Sequence, residues 1–151
     1  MSKNTPQKPP GAAWRALVAK HGSTQFEDSF TSDAVLEASV LNGSLVGPAQ
    51  IAAFFAATSS GMYEVLSFTA EVSTGSRTYL EWTGRAFGLD LEGVTIVARN
   101  PAGLIERVSL HHRPYSVVMK FAAELATRLV GKVDPRLLAG SPLEAPASAA
   151  C

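Results

Sequence analysis

The sequence predicts an α+β domain, a curved antiparallel sheet wrapped around helices that come first in the chain. Three observations lead there. Up to Ser60 the apolar residues recur mainly at helical spacing, as Ile51, Phe54 and Phe55 do. From Tyr63 to Arg113 the period drops to two, in four runs rich in β-branched and aromatic residues. From Ser116 the helical period returns. Helices gathered before strands make an α+β pattern, not an alternating βαβ one. A strongly bent sheet folded over helices leaves a cone with an apolar mouth, a natural small-molecule pocket.

The elements follow in order. Gly11–His21 reads as a short helix with Trp14, Leu17 and Val18 on one face and Gly22 as its stop. Gln25–Phe30 reads as a second, anchored by Phe26 and Phe30. Ser32-Asp33 is expected to turn, Ala34–Val40 to form a short strand, and Asn42-Gly43 to turn again. Gly47-Pro48 opens a third helix, Pro48–Ser60, with proline at the first position, where no needed N–H is lost. The four long strands are Tyr63–Ser73, Arg77–Phe87, Leu91–Arg99 and Leu104–Arg113. Thr74-Gly75 and Asn100-Pro101-Ala102-Gly103 are hairpin turns, and Gly88-Leu89-Asp90 is either a link or a bend in one long strand. Ser116–Leu129 is the last helix. Val117, Val118, Phe121, Leu125 and Leu129 form its apolar stripe, and Lys120, Glu124 and Arg128 its polar row.

The organisation expected is a flexible segment at residues 1–10, one domain at 11–133 and a flexible tail at 134–151, where SPLEAPASAAC is of low complexity. A chain of 151 residues, 46% hydrophobic and 17% charged, suits one domain with a real core. Thirteen basic and thirteen acidic residues cancel, and no Lys/Arg run occurs. Neither nucleic acid nor a membrane surface is therefore an expected partner. No apolar run is long enough to span a bilayer, and the start of the chain lacks the apolar core of a secretory signal. The single cysteine, Cys151, can form no internal disulfide. The expected location is cytoplasmic.

The stretches QFEDSFTSDAVLEA, LVGPAQIAAFF and GLIERVSLHHRP, with the element order from Trp14 to Leu129, resemble the SnoaL-like branch of the nuclear-transport-factor-2-like superfamily. That branch holds polyketide cyclases, limonene-epoxide-hydrolase-like enzymes and ketosteroid isomerases. The resemblance implies a cone-shaped α+β roll and a homodimer built on the outer face of the sheet. It also locates the groups that do chemistry in such proteins. Ketosteroid isomerases use an Asp base with a Tyr and a protonated Asp as oxyanion donors. Here the Tyr position falls on Trp14, the base on Ala38 and the protonated Asp on Thr95. The acid that the hydrolases and cyclases carry on the last strand falls on Leu110. Trp14 and Thr95 keep a hydrogen-bond donor, but Ala38 and Leu110 cannot carry a proton.

Proton chemistry must then come from elsewhere, and His111-His112-Arg113 is the unusual local feature. Strand alternation puts His112 on the face of Val108 and Leu110, whose apolar character marks it as inward, and His111 on the other. A neutral, pocket-facing His112 could serve as acid or base; its alternative is a histidine merely hydrogen-bonded at the rim. No third ligand accompanies the two histidines, so no metal or cofactor is implied. Trp14, Phe54, Trp82, Thr95, Leu110 and Ala38 are the expected walls of a site for an apolar small molecule, with plain core packing the alternative for the aromatics. Tyr63 and Tyr79 could also donate, and Arg85, between Gly84 and Gly88, could meet an acidic group. Glu37 and Glu81 alternate outward. Two functions follow: a small-molecule enzyme of SnoaL-like type, working by acid/base isomerisation, cyclisation, dehydration or hydrolysis with His112 as proton carrier, or a non-catalytic ligand-binding or dimerisation module.

Overall fold

The computed structural model describes residues 8–141. Their order is α1 (Ala12–Val18), α2 (Thr24–Glu27), β1 (Phe30–Ala38), β2 (Leu45–Val46), α3 (Pro48–Ser59), β3 (Val65–Thr74), β4 (Arg77–Ala86), β5 (Leu89–Arg99), β6 (Ile105–Arg113) and α4 (Tyr115–Leu129). One curved, unclosed six-stranded sheet runs β2-β1-β6-β5-β4-β3. The pairs β3–β4, β4–β5 and β5–β6 are antiparallel. β1 pairs with β6 in parallel, Ala38 opposite Leu110. Register shifts between Phe68 and Ala70 and between Ala98 and Arg99 add local twist, which helps the sheet wrap. No helix among the described residues is long and apolar enough to cross a membrane.

The two helices framing the inner face are held by opposite means. Gly47 adopts φ 92° ahead of Pro48, and α3 then buries Ile51, Phe54, Phe55, Ala57 and Thr58. α4 buries Val117, Phe121, Leu125 and Leu129, one residue per turn. Its Arg128 bonds Glu124 at 3.0 Å and donates to the carbonyls of Ala57 (3.2 Å) and Ser60 (2.5 Å) at the end of α3. A cation there satisfies orphan carbonyls and opposes the negative end of the helix dipole. The aromatic core Trp14, Phe26, Phe30, Phe54 and Phe55 is packed largely edge-to-face, with Trp14 5.5 Å from Phe55.

The structure differs from the sequence reading at several places, and the strand expected from Tyr63 begins only at Val65, which leaves Tyr63 and Glu64 ahead of β3. The second helix stops at Glu27, and Phe30 opens β1 opposite Ile105. Ser32-Asp33 is not a turn between elements; β1 runs through it, but the ladder to β6 is broken between Phe30 and Val35. Gly88 is a hairpin link rather than a bend: Ala86 pairs with Leu89, and Phe87 and Gly88 both take positive φ, 57° and 71°. That is the two-residue turn whose twist suits a hairpin. The packed chain also continues past residue 133. A 3-10 turn at Pro135–Leu137 is capped by the Asp134 side chain, Leu138 is buried, and Asn42 Nδ2 donates to the Arg136 and Leu138 carbonyls, each at 3.2 Å. The apolar pair Leu137-Leu138 gives this stretch something to bury before the low-complexity sequence begins. The remainder of both expected flexible ends, residues 1–7 and 142–151, lies outside the described residues.

Candidate active site

The site is written across the sheet in rows. One row is Trp82, Gly93 and His112, on β4, β5 and β6. The next is Leu80, Thr95, Leu110 and Ala38. Gly93 determines what the first row can do. A Cβ there would collide with the His111 carbonyl oxygen and lie 2.5 Å from Trp82 Cζ2. Without one, the Trp82 indole lies over the β5 backbone and meets the His112 ring edge-on, centroids 5.3 Å apart.

Alternation on β6 works as expected: Val108 and Leu110 are buried, and His111 is exposed on the other face. That outer face carries Glu37, which accepts from Ser109 Oγ at 2.8 Å and pairs with Arg107 at 3.2 Å. The Ser109 hydroxyl first, and Arg107 after it, hold the Glu37 carboxyl below the usual range.

His112 is enclosed. Phe121 of α4 packs on it at 5.8 Å, and its backbone N–H donates to Ser39 Oγ at 3.0 Å. Nε2 lies 3.4 Å from the Tyr63 hydroxyl, a long hydrogen bond, while Nδ1 is buried without a partner. Burial, and secondarily the nearby His111, lower the His112 pKa to about 4. The imidazole is therefore neutral at pH 7. Tyr63 is half-buried, between Trp82 at 5.8 Å and Phe121 at 5.0 Å, and desolvation there raises its pKa above the ordinary 10.

Tyr63, Trp82 and His112 line a cavity of about 340 Å³. Trp14, Phe54, Trp82, Thr95, Leu110 and His112 all line it. Ala38 does not; it is partly buried against the core beside Leu110. Tyr63, Thr58 and, at the rim, Arg15 also line the cavity, and no carboxylate does. Tyr63 is the residue that sequence reasoning could name but not place. It precedes β3, where strand alternation carries no information, and is held inward by its two aromatic neighbours. Gly93 gave no sequence signal, because a glycine in a strand does not say which neighbour needs its space. Arg85 lies away from the cavity, donating to the Gly88 carbonyl at 2.8 Å with Glu64 at 3.9 Å and Asp90 at 3.7 Å.

No family profile and no curated protein sequence matches the chain. Solved structures do. An uncharacterised bacterial protein with a cystatin-like fold, from Silicibacter pomeroyi DSS-3, matches with a TM-score of 0.68 at 20% identity, over 76% of this chain and 81% of that one. A steroid delta-isomerase from Pseudomonas aeruginosa matches at 0.66 and 18% identity, over 79% and 88%. An NTF-2-like protein of unknown function from Burkholderia xenovorans LB400 matches at 0.53 and 17%, over 70% and 80%. The fold is that of these cystatin-like, NTF2-like proteins, as the sequence resemblance implies.

Proposed function

We propose that the chain is a small-molecule enzyme that moves a proton on an apolar, oxygen-bearing substrate held in the cone cavity, by isomerisation, cyclisation, dehydration or hydrolysis. The observation that carries this is the Tyr63–His112 pair on the wall of a mostly apolar, carboxylate-free cavity. His112 is the proton carrier. With Nε2–H donating to the Tyr63 oxygen, Nδ1 is a bare acceptor and the phenol proton is free for a substrate oxygen; with the phenol donating to Nε2, the imidazole proton sits on Nδ1. The pair can thus hold a proton at either end without becoming charged. A pKa near 4 makes the imidazole a weak base, so the substrate proton must be acidified by polarising the adjacent oxygen. Tyr63, the Trp14 indole and Thr95 are the groups on the cavity wall for that task. The shared fold with a steroid delta-isomerase supports isomerisation among these reactions.

Both tryptophans of the chain line the cavity, so intrinsic fluorescence reports its occupancy. Small apolar ketones, phenols and epoxides are to be screened for quenching and then for turnover. On a converted compound, His112→Ala is expected to lower kcat by about 100-fold or more, with His111→Ala near wild type. Unchanged turnover in His112→Ala refutes the assignment. The absence of a carboxylate from the cavity favours a second reading, a binding module without chemistry. Tight quenching by compounds that are never converted would select it.

A further inference from the structure

A second, larger hollow lies along α4. It is a groove of about 1140 Å³ bounded by α4, the Ser39–Asn42 stretch after β1 and the packed segment at 135–141. Its α4 wall carries Val118, Met119, Ala122 and Ala126, with Val130 just after the helix. From Val118 to Leu129 the helix runs about 17 Å. Met119 on the helix and Val130 after it are more than half exposed. Asn42 ties the opposite wall together through its backbone N–H, which donates to the Leu137 carbonyl at 2.8 Å, and its side-chain amide.

Among the described residues, one residue lines both this groove and the inner cavity, and it is His112. The two spaces approach each other at this residue. It is also the residue whose Nδ1 is buried with no partner.

We infer that the groove along α4 is the second compartment of a single ligand site, taking the apolar chain of an elongated substrate whose oxygen function sits at His112. The inference rests on the reading of the inner cavity as a ligand site and adds the substrate class, a molecule with a compact oxygenated head and a long hydrocarbon tail. The inner cavity takes the head. The groove supplies the length and apolar wall for the tail, and the two compartments meet at His112.

The test is a series of methyl ketones from 2-octanone to 2-nonadecanone, titrated against the full chain by tryptophan fluorescence. Affinity is expected to keep rising with chain length beyond what the inner cavity can hold. Met119→Glu, on an exposed position, and Ala126→Phe, which fills the groove, should each reduce the ratio of long-chain to short-chain affinity by about tenfold, the scale of burying a few methylene groups. Short ketones that bind while affinity stops rising with length, or a ratio that neither variant changes, would overturn the groove and leave the inner cavity standing. No quenching by any ketone would remove both. A Met119→Glu chain that changes its sedimentation but not its ketone affinities would assign the groove to contact between chains, against the inference.

Discussion

At the residue scale, His112 shows how much one side chain's environment can carry. Alternation from Val108 and Leu110 predicts its face, and its burial follows from theirs. Its partner does not follow, because Tyr63 lies outside any strand, and Trp82 reaches it only because Gly93 is bare. The burial has a measurable cost. With a pKa of about 4 in the fold against the ordinary 6.5, the native state binds fewer protons than the unfolded chain between those values. Stability from this site is therefore complete above pH 6.5 and is lost as pH falls toward 4, on the order of 3 kcal/mol across the window. Urea unfolding at pH 7.5, 6, 5 and 4.5 should show that decline, and His112→Phe, which keeps an aromatic ring, should remove most of it. A decline of the same size in the variant would place the effect elsewhere. Glu37 acts in the same direction but lower, since a depressed carboxyl loses its contribution only as it protonates below its usual value.

At the scale of the element, the long strands and the two long helices are legible because each is long enough for its period to repeat. Ile51, Phe54 and Phe55 reappear on the buried face of α3, and the predicted stripe of α4 is the one it buries, with Val118 partly so. Short elements fail for the same reason. α2 is a single turn capped by Ser23, and nothing in Gln25–Phe30 says that the chain must leave the helix before Phe30 to pair with Ile105. β2, two residues long, has no period to read. The β4–β5 hairpin is instructive because its turn contains a poor residue. Phe87 holds φ 57° and is 44% exposed, in a position that favours asparagine. Phe87→Asn should stabilise the chain by about 0.5–1 kcal/mol, since relieving the left-handed strain outweighs the modest burial lost. Thermal unfolding checks it, and a lower midpoint would mean that the Phe87 ring contributes more than its exposure suggests.

For the whole molecule, the change of period near Tyr63 is enough to place helices on one side of a curved sheet, and the resemblance to NTF2-like proteins supplies the cone. What pattern alone could not supply is the strand order, since the β1–β6 pairing is parallel and joins residues far apart in sequence. The outer face of the sheet bears Tyr79, Ile96 and Ser109 in one row with Glu37, a mixed surface that is only partly exposed. We propose that two chains associate there; sedimentation at micromolar concentration should give about twice the 15.9 kDa mass, and a single species at 15.9 kDa would exclude it. The β1–β6 pairing also bears on synthesis. Ser109 reaches Glu37 across 72 residues of chain. On a ribosome adding about 5–20 residues per second, β1 emerges roughly 4–14 s before the strand that flanks it on the inner side of the sheet. Through that interval Leu36 and Val35 have only the short β2 beside them, so the nascent chain carries an open apolar edge until β6 has left the exit tunnel, and chaperone contact during translation should concentrate on that first strand.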